Sequence, residues 1–287
     1  MSSPVLKINL KDKNYPKLLK EIYDPPQNLY AVGEIKAEEN YPLAIVGTRK
    51  VSSYGKQITV SLTKDLVKAG LTIVSGLALG VDGLAHQTTL DNGGRTIAVL
   101  GSSPDIIYPP LHRTLAKNII KNNGAIVSEY PPTTSPTRWT FPARNRIIAG
   151  LSLGTLVIEA PEKSGALITA HSALDQGREV FAVPGSIYNP NSAGCNQLIK
   201  MGAKAVTKAE DILDAFNLEL SEKISETPEP TLPEEKILWK FLSHEPVHID
   251  QLIKSSKFST SQAIAVLTLM EINGKVKNLG GGNYVKN

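Results

Sequence analysis

Five cationic side chains, Arg49, Arg138, Arg144, Arg146 and Lys163, lie in or beside segments where an apolar run gives out. A guanidinium takes two phosphate oxygens at once and an ammonium adds a compact charge, so the chemistry these residue types offer is capture of an anion. Arg144 and Asn145 stand in FPARNRIIAG, where a helix is predicted to begin near Ala143 or Arg144 and run to Leu153. Cations in a first helical turn oppose the dipole, and a bound phosphate would relieve that conflict. Arg146 has two readings, a further anion contact or an internal ion pair with a carboxylate such as Glu159. Tyr130, Trp139 and Phe141 are interleaved with the cations. A base stacked on such a ring gains about 1–3 kcal/mol whatever its identity. Phe141, next to the arginines, is the better placed for stacking; the other reading is that Trp139 and Phe141 plug the loop onto the core.

Catalytic constellations are weaker. Asp82 and His86 are four residues apart on one predicted helix face, but no third metal ligand stands near them. His112, His171, His244 and His248 have no ligand spacing, and no G-x-S-x-G elbow is present. Cys195 opens a predicted helix without a base to pair with, which reads as a packed thiol. There is no G-x-x-x-x-G-K-[ST] loop, and Gly76, Gly80 and Gly83 are wrongly spaced for a dinucleotide turn, so no cofactor is expected.

The elements that must position the cations follow from hydrophobic pattern. LAIVGTRK, LTIVSGLALG, TIAVLGSS, TLVIEAPEKSGALITA and EVFAVPGS each end on small or cationic residues. They predict parallel strands whose carboxyl ends share one sheet edge, where open α/β sheets bind ligands. Between them, Ile58, Leu62, Leu66 and Val67 mark a helix closed by Ala69-Gly70, and a second helix follows Asp82 as N-cap. Further helices are expected at 112–122, 172–176 and 196–201. Residues 1–41 read as a capping segment with a brief strand in DPPQNLYAVGE, 42–218 as the α/β domain, and 219–231 as a Glu/Pro/Ser linker. Residues 232–287 show three helical patterns and a glycine-tipped hairpin, a winged helix-turn-helix; seven Lys against five Asp and Glu leave nucleic acid and protein as equal candidates for its partner.

The 287 residues carry a net charge of only +4, so an anionic polymer would have to be held by cations gathered in one groove. One cysteine excludes an internal disulfide and fits a reducing compartment. No apolar run reaches membrane-span length and the N-terminal residues lack a signal-peptide core, so a soluble, cytoplasmic protein is expected.

GTRK, SGLALGVDGLAH, RTIAVLGS with YPP, SEYPP, FPARNRIIAGLS, EKSGALITA, GREVFAVPGS and GCNQLIKMGA resemble, in order and spacing, the DNA-processing protein A family (DprA, also called Smf). The resemblance covers residues 15 to 287. It implies an extended Rossmann-like fold with helices on both faces, a homodimer, single-stranded DNA binding without catalysis, and loading of RecA recombinase onto that DNA in natural transformation. Its DNA pocket would map onto Thr48, Arg49, Arg138, Phe141, Arg144, Asn145, Lys163 and Ser164, with backbone groups of Ser75, Gly76 and Ala78 on the floor. Ala205 stands where the family often has a larger apolar residue at a dimer contact. Two competing readings remain open: a nucleotide phosphoribohydrolase-like enzyme of the same fold group, for which Glu159 lacks the preceding P-G-G turn and would instead orient a pocket arginine, and a duplex DNA regulator acting through the winged helix.

Overall fold

The computed structural model describes residues 4–218, 230 and 232–286. Most of the proposed linker, 219–229 and 231, lies outside them. The chain divides into two compact units, Met1–Glu222 and Lys223–Asn287.

In the first unit, the strands are β1 (Leu6–Asn9), β2 (Asn28–Gly33), β3 (Leu43–Val46), β4 (Ile73–Ser75), β5 (Thr96–Val99), β6 (Ala125–Ser128), β7 (Gly154–Val157), β8 (Glu179–Ala182) and β9 (Lys204–Ala205). The helices are α1 (Lys17–Lys20), α2 (Ser53–Lys68), α3 (Val81–Asp91), α4 (Arg113–Lys121), α5 (Thr140–Gly150), α6 (Gly165–Asp175), α7 (Ala193–Lys200) and α8 (Glu210–Ala215). All nine strands form one sheet in the order β1-β2-β6-β5-β4-β3-β7-β8-β9. From β6 to β9 every pairing is parallel, while β2 runs antiparallel to β6 and β1 antiparallel to β2.

Alternation along each strand feeds two cores. In β3, Ala44 and Val46 join the layer formed with α5, α6 and α7, whereas Leu43 and Ile45 face α2, α3 and α8. All four are fully or nearly fully buried, which is why the strand reads as a continuous apolar run. Strand order reverses at β3: β4, β5 and β6 follow on one side, β7, β8 and β9 on the other. A crevice therefore opens past the carboxyl ends of β3 and β7, the topological switch point.

Several boundaries differ from the sequence reading. The N-terminal segment extends the sheet with β1 and β2 and sends Ile8, Tyr15, Leu19 and Leu29 into the core. β6 is parallel to β5 and buried, but its AIVS run leads into Glu-Tyr-Pro-Pro rather than the small or cationic ending that marks the other five. Helix α5 begins at Thr140, so Arg144 and Asn145 sit in its second turn; α6 begins at Gly165 rather than Ser172, capped by the Ser164 hydroxyl. The residue capping α3 is Gly80, not Asp82. Gly80 has φ +83°, and a methyl group there would meet Thr48 O and stand 2.8 Å from Arg49 Cα.

The second unit contains α9 (Pro233–Trp239), α10 (Ile249–Ser256), α11 (Thr260–Ile272), and a three-stranded sheet of β10 (Val247–His248), β11 (Val276–Gly280) and β12 (Asn283–Lys286). Leu238, Leu252, Leu267, Met270 and Tyr284 form its core. Lys275 Nζ lies 2.6 Å from Glu235 Oε2 in a buried ion pair. Ser259 and Gln262 form a capping box at the start of α11, and glycines 280–282, all with positive φ, turn the wing. The expected three helices and hairpin are present, with β10 as an added strand. Among the described residues no helix is long and apolar enough to cross a membrane.

Gly80→Ala is expected to cost about 2 kcal/mol or more, from left-handed strain plus the clash with the turn after β3; urea denaturation at neutral pH measures it. His86, on α3, is fully buried, and its Nδ1–H donates to Thr96 Oγ1 (2.7 Å), whose own proton goes to Ile73 O. Burial, reinforced by His112 and Arg144, lowers its pKa from 6.5 to about 3. Protonation therefore favours the unfolded chain: the contribution of neutral His86 is complete above pH 6.5 and is lost as pH falls toward 3. Between those values stability should fall with a slope of about one proton from this site, and His86→Asn should flatten that slope even while lowering stability at pH 8.

Candidate nucleic-acid interface

The crevice at the switch point is a trough of about 500 Å³. The turn after β3 supplies Gly47, Thr48 and Arg49; the SGLALG turn after β4 supplies Ala78; α5 and the loop before it supply Arg138, Phe141, Arg144 and Asn145; the EKSG turn after β7 supplies Lys163 and Ser164. Nine of the twelve residues singled out from the sequence thus line one hollow, although they are drawn from four separate stretches of chain.

Their roles divide by burial. Arg144 is only 5% exposed. Its Nη1 donates to Gly76 O (2.7 Å) and to Val99 O, and its Nε to Asn145 Oδ1 (3.2 Å). Asn145 in turn donates Nδ2 to Gly165 O (3.1 Å), fixing the start of α6. The Asp82 carboxylate, also buried, accepts from Gly76 N at 3.1 Å. Burial raises the Asp82 pKa, opposed by the charge of Arg144 and by backbone donors. Burial likewise lowers the Arg144 pKa, to about 10, opposed by Asp82. Gly76 is therefore held through its carbonyl by a guanidinium and through its N–H by a carboxylate. A Cβ at this position would stand 2.6 Å from Arg144 Nη1 and 2.7 Å from Asp82 Oδ2, which leaves glycine as the residue that fits.

Arg49, Arg138 and Lys163 are exposed on the rim. Among the described residues none of the three is paired with a carboxylate. Two lie over rings instead: Arg49 is 5.7 Å from the Phe141 centroid and Arg138 is 4.5 Å from that of Trp139. Trp139 is 70% exposed, so it does not plug the loop; Phe141 is half-buried against Gly101 and Tyr108. The N-terminus of the eleven-residue helix α6 opens on the same trough, with Ser164 Oγ accepting from Ala166 N (3.3 Å). Anionic oxygens would meet three solvated cations and a helix dipole there.

Three sequence-identified residues lie elsewhere. Ser75 is fully buried and donates its hydroxyl to Ile45 O (2.6 Å), tying β4 to β3. Gly76 borders a smaller neighbouring cleft. Arg146 points away from the trough and pairs with Glu129 (2.7 Å) and Asp24 (3.2 Å), so its carboxylate partner is not Glu159. The periodicity of α5 explains this: Arg144 and Arg146 are two residues apart and so face different sides of one helix. Glu159 does not orient an arginine either. Its carboxylate accepts from Ser52 N (2.9 Å) and Ser52 Oγ (2.6 Å), which fixes the start of α2. Asp82 is the site residue that sequence reasoning misplaced, as a cap; its signal was the coincidence of a buried-helix carboxylate with a glycine turn. Cys195 is packed, with burial raising its thiol pKa to about 12.

The chain matches the family model of DNA recombination-mediator protein A over residues 7–217, and that of the DprA winged helix domain over residues 221–282. It is 47% identical over 224 residues to DNA processing protein DprA of Bacillus subtilis, covering 78% of this chain and 74% of the relative. Among solved structures, DNA processing protein A of Streptococcus pneumoniae superposes with TM-score 0.70 and 42% identity over 75% of each chain. The protein of that name from Helicobacter pylori, described for its single-stranded DNA binding mode, gives TM-score 0.65 and 33% identity over 76% of this chain and all of its own. With the switch-point trough, the winged helix and these matches in agreement, the chain belongs to the DNA recombination-mediator protein A (DprA/Smf) family.

Proposed function

We propose that this protein binds single-stranded DNA in the switch-point trough and presents it to RecA recombinase, without catalysing a reaction itself. The observation that carries the reading is the trio Arg49, Arg138 and Lys163, solvated, free of carboxylate partners among the described residues, and set around one hollow at the mouth of a helix. Thr48, Asn145, Ser164 and the backbone of Ala78 would supply the neutral donors between them. The single-stranded DNA binding described for the Helicobacter pylori relative supports the same ligand class. Arg144 enters this reading as the scaffold of the floor, and Arg146 as an anchor of α5 to the N-terminal segment. The carboxylate in the trough, Asp82, is engaged by Gly76 and faces Arg144, an arrangement suited to holding a turn rather than to moving a substrate proton.

Delivery to a recombinase is supported by family membership, as is a homodimer. Met201, exposed, stands just before the two-residue edge strand β9, and a second copy placed across that edge would cover both. Two troughs in one dimer would raise avidity for a long strand without new contacts. For the winged helix, α11 reads TSQAIAVLTLMEI and has no Lys or Arg. A helix that enters a major groove ordinarily brings such donors, so a protein contact is the better assignment for this unit.

Phosphate contacts should dominate binding. Arg49→Ala with Lys163→Ala is expected to weaken single-strand affinity at physiological salt and to reduce the slope of log K against log salt by about 1.4, two contacts at roughly 0.7 each. Fluorescence anisotropy across a salt series measures both, and unchanged affinity would reject the trough. Residues 1–222 expressed alone should keep most of the single-strand affinity, whereas residues 223–287 should bind neither single strands nor duplex appreciably; duplex binding confined to the second fragment would instead favour a regulator.

A further inference from the structure

Beside the trough, and sharing Arg49, Ala78, Phe141 and Arg144 with it, lies a smaller cleft walled by Leu79, Tyr108 and Pro109. Its volume of about 60 Å³ admits a few waters but cannot enclose a nucleobase. What it offers is the outer face of its wall: Tyr108 is 44% exposed and Leu79 is 40% exposed. Phe141 is already engaged, with the Arg49 guanidinium 5.7 Å from its centroid, Tyr108 at 5.6 Å between centroids and a 42° tilt, and Gly101 against its edge. Tyr108 is the aromatic ring of this group with free area.

The segment that carries Tyr108 is fastened at both ends. Ser102 Oγ donates to Ile106 O (2.6 Å) and Ile106 N to Ser103 O (3.0 Å). On the other side His112 Nδ1–H donates to Leu77 O (2.8 Å), inside the same SGLALG turn that forms the trough floor. The ring is thus held in fixed relation to Gly76, Ala78 and the Arg144 guanidinium, and a strand bound in the trough would meet it without a loop having to order first.

We propose that Tyr108, with Leu79 and Pro109, is a base-stacking ledge: the strand's phosphate lies in the trough beside Arg49, and an unpaired base of an adjoining nucleotide lies on the Tyr108 ring. This rests on the single-strand reading above and extends it by a second contact, one made to a base. Ring stacking tolerates any base because every base has a π face, and it requires an unpaired strand because a duplex hides those faces. The ledge therefore supplies a discrimination between single and double strands that phosphate contacts by themselves do not.

The test compares wild type, Tyr108→Ala, Tyr108→Leu, Tyr108→Phe and the Arg49→Ala, Lys163→Ala double variant by anisotropy. The probes are a labelled oligothymidylate and an abasic oligomer of the same length, with thermal melts verifying that each variant is folded. Tyr108→Ala and Tyr108→Leu are expected to weaken oligothymidylate binding by about five- to a hundredfold, with the salt slope unchanged, and to leave abasic binding as in wild type. Tyr108→Phe should retain full affinity. If both truncations bind oligothymidylate like wild type while the double variant loses affinity, the ledge is wrong and the single-strand reading stands. Equal losses on both probes would likewise overturn stacking. Absence of single-strand binding by wild type would remove both.

Discussion

Gly76 is gripped from both sides by buried opposite charges, its carbonyl by Arg144 and its N–H by Asp82, and the site depends on that grip. Arg144 also reaches Val99 O, so one guanidinium on α5 joins the carboxyl ends of β4 and β5. Through Asn145 it further sets the start of α6. A buried guanidinium satisfied by carbonyls, an amide oxygen and a nearby carboxylate is costly to place and costly to disturb, since removing one partner strands the other in a low dielectric. The floor is consequently fixed before any ligand arrives. A lysine could not substitute, because a point charge lacks the planar fork that spans these acceptors.

The other three trough cations are arranged on the opposite principle. Arg49, Arg138 and Lys163 stay in water, where each is individually weak and screened by salt, so any pull on an anion would come from the three together. Buried charge builds the hollow, and solvated charge makes its rim positive. The rings beside Arg49 and Arg138 hold those long side chains near the rim without neutralising them, as an acidic partner would.

The fold class was legible because five buried strands read as unbroken apolar runs, and the sheet edge followed from their common endings. Strands β1, β6 and β9 were not legible: β1 and β9 are mostly exposed, and β6, as long and as buried as β3, runs into Glu-Tyr-Pro-Pro without the small or cationic ending shared by the other five. Arg49, Arg138 and Lys163 could be brought together from topology alone. The difference between Arg144 and Arg146 could not: two residues apart, they must face different sides of a helix, but the packing of α5, from its start at Thr140, decides that Arg144 meets the strand ends and Arg146 meets Glu129. TFPA conceals that start, because the side chain preceding it, Trp139, is not a capping residue. Nothing in the sequence around Glu159 shows its partner, because Ser52 stands at the start of α2 and becomes a neighbour only when β3 and β7 pair.

The trough draws its walls from residues 46–49, 78, 138–148 and 161–169, and its central pair, β3 and β7, joins strands separated by more than a hundred positions of chain. Such a surface has no partial version. A chain emerging from the ribosome has Arg49, and then Arg144, well before it has the segments that complete the hollow. Only when α6 has emerged and β7 has docked against β3 does the hollow come into being, so on the proposed reading an unfinished chain has no assembled site with which to bind.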